Sequence, residues 1–200
     1  MAGTRKEKAA ATRRRMMAAA CKVFSERGFA GTTMDAVAAE ANVAVQTLYY
    51  TFRTKSELLQ AAYEWAVLDD GPPPHLSDWW RRVDAAADVG EAVRHLVDGT
   101  VPILERAAPL VWAVRSDEDA RSTYDHNEKL RIDGNQVLIE MLVRKQPLRE
   151  GLSERQARDV LLALTGPQQF QLLTGEYGWT SEEYAEWVVG AVLRELFGIS

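Results

Sequence analysis

A chain of 200 residues with 46% hydrophobic side chains can bury a real core, as one large domain or as a small domain joined to a larger one. A net charge of −5 taken alone argues against a nucleic-acid binder, but residues 1–56 hold ten Lys/Arg against four Asp/Glu, a balance of +6, and the remainder holds 14 against 25, a balance of −11. The single cysteine, Cys21, excludes an intramolecular disulfide, no apolar run approaches the ~20 residues of a membrane span, and Arg13-Arg14-Arg15 interrupt the alanines a signal peptide would need, so a cytoplasmic protein is expected.

The periodicity is helical nearly throughout, which predicts an all-α fold. A first helix is expected from about Thr4 to Arg27, ending at Gly28, with Met17, Ala20, Cys21 and Phe24 as its buried stripe. A second should start at a Thr32 cap and end near Glu40. After the turn Ala41-Asn42-Val43, where Asn42 can take positive φ, a short helix is expected over Ala44 to Tyr50. The next begins at Thr54 and should bury Leu58, Leu59, Ala62 and Trp65, until Gly71-Pro72-Pro73-Pro74 stops it. The stretch to Asp84 reads as irregular, with Trp79 and Trp80 folded onto the body. Further helices are expected at about 88–106, 109–118, 120–146, 153–173 and 180–197, with Pro102 and Gly166-Pro167 as kinks or breaks. Ser/Thr followed three residues on by an acid or glutamine recurs at Thr4/Glu7, Thr32/Asp35, Thr54/Glu57, Ser153/Gln156 and Thr180/Glu183, the pattern of a helix N-terminus. The chain is expected to divide into a head, 1–53, and a helical body, 54–200.

Two short helices joined by a tight turn are what reading a major groove requires, since the groove admits one helix. In Ala44-Val45-Gln46-Thr47-Leu48-Tyr49-Tyr50, Leu48 with Val43 can anchor inward, leaving Val45, Gln46, Thr47, Tyr49 and Tyr50 outside. A glutamine amide can pair with adenine, Val and Thr methyls can touch the thymine methyl, and tyrosine hydroxyls suit phosphate. Lys55 opens the following helix, where free N–H groups also favour phosphate.

Residues 28–59 resemble the DNA-binding signature of the tetracycline-repressor (TetR) family, above all in Thr47-Leu48-Tyr49, then Phe52, then Lys55 with Leu58 and Leu59. Residues 161–187 are similar, less specifically, to the end of many members. The chain departs from the common pattern at Asn42, Tyr50 and Thr51, where a glycine, a histidine and an aromatic residue are usual. The resemblance implies an all-helical homodimer that reads a near-palindromic operator in double-stranded DNA. It implies that Thr33 meets phosphate, that Val45, Gln46 and Thr47 face bases, and that Tyr49, Tyr50 and Lys55 hold the backbone.

The same resemblance implies a small-molecule effector pocket in the body and a dimer contact on the last two helices. Trp112, Tyr124, Asn127, Glu128, Met141, Gln168 and Phe170 mix apolar bulk with a few polar groups and are the pocket candidates. The acidity of the body favours an uncharged or cationic apolar ligand. Ala157, Leu161, Leu164, Tyr184, Trp187, Val188 and Ala191 are the dimer candidates. The expected function is a repressor released by its effector; an activator, or a regulator without a ligand, would use the same parts. His75, His95 and His126 form no metal-ligand pair, and no P-loop, dinucleotide fingerprint or nucleophile elbow occurs. Neither an enzyme nor a bound cofactor or metal is expected.

Overall fold

The computed structural model describes residues 5–115 and 118–199, with side chains over 7–111 and 118–199, and every regular element among them is helical. They divide into two units, residues 1–69 with 109–125, and residues 70–108 with 126–200.

In the first unit, α1 (Arg5–Gly31) is interrupted at Gly28, whose φ of 69° and ψ of 178° suit only glycine. The positive φ anticipated there is present, but one further turn follows it. α2 (Met34–Glu40) is capped by Thr33, whose hydroxyl oxygen accepts from the Ala36 amide at 3.1 Å. Thr32, the expected cap, is instead 1% exposed and donates its hydroxyl to the Gly28 carbonyl at 2.7 Å. The break in α1 frees that carbonyl, and satisfying it draws the side chain away from α2. Asn42 turns the chain with φ 52° into α3 (Val45–Thr51). α4 (Lys55–Leu68) is capped by Thr54 and buries Leu58, Leu59 and Ala62 as anticipated. Trp65 is only half-buried; Ala66 completes the inner face. α4 packs on α1 in this unit. Met16, Met17, Ala20, Val23 and Phe24 of α1 share the buried interior with Val37, Leu48, Leu58 and Leu59.

In the second unit, residues 78–85 form a helix, α5 (Asp78–Ala85), where irregular chain was expected. Trp80 and Val83, three apart, are the side chains it buries. α6 (Val89–Arg115), of which residues 89–108 belong to this unit, is continuous where two helices were expected. Pro102 lies on the exposed side of α6, as does Asp98 four residues before it, and the helix tolerates the proline there. α7 (Arg121–Val143) and α8 (Glu154–Leu164) follow. α8 stops where Gly166-Pro167 demands it, and α9 (Pro167–Phe170) runs into a π turn over Gln171–Glu176. α10 (Ser181–Phe197) begins at Thr180 and ends on Gly198, in the left-handed region. Full capping boxes form at Ser153/Gln156 and Thr180/Glu183. Leu96, Ile139, Leu142, Leu161, Tyr184, Val188 and Leu196 lie at the centre of this core.

Cations close helix C-termini in the body. Lys145 Nζ donates to the carbonyls of Asp84 and Ala86 at the end of α5, at 2.8 and 2.7 Å. Arg149 Nε donates to Glu195 at the end of α10, at 2.6 Å. Both satisfy carbonyls that the helix cannot, with a positive charge at the negative end of the dipole.

Candidate nucleic-acid interface

The outer face of α3 follows from the helix period and one inward anchor. Successive side chains turn by about 100°, so positions two before and two after Leu48 point away from it. Leu48 is 0% exposed and Tyr50 is 92% exposed. Gln46 and Thr47 are exposed, Tyr49 is half out at 49%, and Val45 is half-buried. Gln46 and Tyr50, four apart, therefore share the crest of the helix, with Thr47 and Tyr49 on its flanks. Phe52, which caps α3, is buried, and holds the helix to the unit together with Leu48. The Thr51 hydroxyl turns back to the Thr47 carbonyl at 2.9 Å and is spent locally.

Thr33 sits exposed at the start of α2 and accepts the Ala36 amide, so its hydroxyl hydrogen remains to donate outward. Lys55 opens α4. Its ammonium donates to the Phe29 carbonyl at 2.8 Å and lies 4.2 Å from the centroid of the Phe29 ring. The structure also brings Arg13, which the sequence shows only as part of a basic run, to the end of α3, 5.1 Å from the Phe52 ring. The signal was its spacing: Arg13 lies four residues before the buried Met17 and so on the packed side of α1. Arg14, Arg15, Lys8, Arg27 and Arg53 are exposed on the same unit. Lys22 is paired with Glu40 of α2 at 2.8 Å, and that hydrogen bond raises its pKa.

The candidate pocket residues are spread over both units. Tyr124 belongs to the first and is half-buried; the Trp112 side chain lies outside the described residues. In the second, Met141 and Phe170 are core, Asn127 and Gln168 are half-buried, and Glu128 holds Arg131 through two contacts of 3.0 and 3.1 Å. Of the dimer candidates, Ala157, Leu161, Tyr184, Val188 and Ala191 are buried inside the chain itself. Their apolar stripe is genuine, but α8 and α10 turn it inward, on each other and on the body core. Leu164 and Trp187 alone of that set retain exposed surface.

Among the described residues no group of three or more His, Cys, Asp and Glu could hold a metal ion, and no helix is long and apolar enough to cross a membrane.

Residues 16–62 match the family model described as bacterial regulatory proteins, tetR family. Among solved structures, the fold is similar to the regulator FadR from Bacillus subtilis in complex with stearoyl-CoA, at 16% identity and a TM-score of 0.71 over 90% of this chain and 96% of that one. It is similar to NalD of Pseudomonas aeruginosa, the secondary repressor of the MexAB-OprM multidrug efflux pump, at 21% identity and a TM-score of 0.69 over 96% and 98%. A TetR-like transcriptional regulator from Rhodococcus sp. RHA1 gives 19% identity and a TM-score of 0.68 over 92% and 94%. Among curated proteins, no sequence matches this chain at a significant level. Residues 16–62 are thus similar in sequence to the tetR family of bacterial regulatory proteins, and the helical fold of the chain is similar to that of TetR-like transcriptional regulators.

Proposed function

We propose that the chain is a homodimeric repressor that occupies a near-palindromic operator and leaves it when a small apolar effector binds the body. The observation that carries this reading is the contrast across α3: Leu48 fully buried, and Gln46, Thr47 and Tyr50 on the opposite, exposed face. A seven-residue helix with one buried side chain contributes little to a core, and a polar crest on a rigid short helix is what enters a major groove. Gln46 and Thr47, with the methyls of Val45, are the base readers; Thr33, Tyr49 and Tyr50 reach the phosphates. The charge of +6 over residues 1–56 draws that segment to DNA, and the −11 over residues 57–200 disfavours approach of the rest.

Two heads must stand about one helical turn apart, ~34–36 Å, to read both half-sites. The dimer contact is assigned to α8 and α10 through the surface that Leu164 and Trp187 still expose. The effector is assigned to the body around Asn127, Gln168 and the neighbouring apolar residues. It acts by shifting the population of α4 poses and hence the spacing of the heads. A solved structure of FadR holding stearoyl-CoA and the repressor role of NalD support a ligand-responsive repressor.

The test is selection of bound duplexes from a random pool by the full-length protein. A palindrome with half-sites one turn apart is the expected product. Failure to enrich any sequence, or a monomer at micromolar concentration by sedimentation, would refute the reading.

A further inference from the structure

We propose that residues 7–15, the exposed first turns of α1, are a second DNA-binding element that takes the phosphate backbone beyond the base pairs read by α3; the proposal rests on the chain's binding of duplex DNA. The segment, Glu-Lys-Ala-Ala-Ala-Thr-Arg-Arg-Arg, holds four cations against one acid. Every residue in it is exposed except Thr12, which is half-buried, and the first buried side chain described in the helix is Met16. The segment similar to the family model also begins at residue 16, so this extension stands outside it.

Packing does not hold these turns in helical form. Ala, Lys, Arg and Glu are strong helix formers, and Glu7 lies in the first turn, where an acid is favoured. The Thr12 hydroxyl is spent on the Lys8 carbonyl at 2.9 Å, so the cations are what the segment offers a partner. Like charges gathered on a surface that buries no apolar side chain repel one another, and a polyanion relieves that repulsion. The root of the extension is fixed beside the reading helix. The Arg13 guanidinium lies 5.1 Å from the centroid of the Phe52 ring, and Phe52 caps α3. Phe52 is 5% exposed, so this contact ties α1 to the packed end of α3, and the exposed Arg53 follows directly. Lys8 stands about 7.5 Å further along the helix axis than Arg13, at ~1.5 Å per residue. The rise from Lys8 to Arg15, about 10 Å, matches three successive phosphates of one strand at ~3.4 Å each. Cations on phosphates position a protein without reading sequence, so this element adds affinity for any duplex.

The experiment compares the full-length parent with two triple variants on two duplexes, the sequence the parent selects from a random pool and a scrambled duplex of equal length. One variant carries Lys8→Gln, Arg14→Gln and Arg15→Gln. The control carries Arg82→Gln, Arg94→Gln and Arg155→Gln, which remove the same charge from exposed positions of the second unit. Affinities are measured over a range of salt, and hydroxyl-radical footprints are taken on the selected duplex. The first variant should weaken both duplexes by the same several-fold factor. Its salt slope should be shallower by about 0.9 for each phosphate lost, about 2.7 for all three. Its footprint should contract to the half-sites, with the melting temperature unchanged, and the control should match the parent in slope and footprint. An unchanged slope and footprint would overturn the proposal. So would a loss confined to the selected duplex, which would make the segment part of base reading, or an equal loss in the control, which would leave only net charge. A parent that enriches no sequence would defeat the operator reading alone, because the slope on the scrambled duplex still tests the segment; a parent that binds neither duplex would defeat both.

Discussion

The hydroxyl of Tyr184 in α10 donates to the carbonyl of Leu164, the last residue of α8, at 2.7 Å. That carbonyl lies in the final turn before Gly166-Pro167, where the helix supplies no further N–H in register. Tyr184 is 1% exposed and its ring meets Phe170 edge-on at 4.9 Å. Tyr184→Phe keeps the ring and orphans the carbonyl, so a loss of about 1–3 kcal/mol is expected in urea unfolding followed by circular dichroism. Burial raises the pKa of this phenol, so the native state favours its protonated form. Its contribution is complete below the ordinary tyrosine value of about 10 and is lost as pH climbs past it; Tyr184→Phe should therefore flatten the alkaline fall in stability. An unchanged alkaline limb would contradict this.

Gly99 lies in the middle of α6 against the flat of Trp79, and a Cβ there would overlap the indole. Glycine to alanine in a helix interior normally stabilises by about 1 kcal/mol. Here the overlap should cost about 1–3 kcal/mol and reverse the sign. Gly99→Ala is expected to lower the melting temperature, and Trp79→Leu combined with it to recover part of the loss. A more stable Gly99→Ala would show that the indole moves aside freely.

Cys21 Sγ lies 3.5 Å from the Ala62 carbonyl, and burial pushes the thiol up to about 12. The thiol stays protonated at neutral pH, so iodoacetamide should label native protein far more slowly than urea-unfolded protein. The folded value stands above the unfolded one. The associated stability is whole below about pH 8.5 and is lost as pH rises toward 12. Equal labelling rates for native and unfolded chain would overturn this assignment.

Gln46→Ala removes the amide from the crest of α3 and leaves the helix anchored by Leu48 and Phe52. Affinity for the selected duplex should fall by about 1–3 kcal/mol if the amide makes a bidentate base contact, with random-sequence affinity unchanged. Competition binding on both duplexes reads the difference. Equal loss on both would remove Gln46 from the base readers.

Interactions spanning three or four residues are legible in the sequence. The positive φ at Gly28 and Asn42, the break at Gly166-Pro167, the capping boxes at Ser153 and Thr180, and the exposed crest opposite Leu48 all follow from local sterics, hydrogen bonding and the helix period. Choices between partners far apart in the chain are not. Thr32 and Thr33 are the same residue type, and the free Gly28 carbonyl, with its hold on Thr32, left the cap to Thr33. Pro102 reads as a breaker, and only the packed structure shows it on an exposed side of a helix that continues through it.

The stripe of Tyr184, Val188 and Ala191 announces a buried face without saying what buries it, because an apolar surface leaves water equally well against its own chain or another. Lys55 carries the family's pattern, and only folding shows its charge on the Phe29 carbonyl. Helix positions and faces are written in short-range geometry; the owner of each face, and the carbonyl a lysine finds, depend on where the rest of the chain packs.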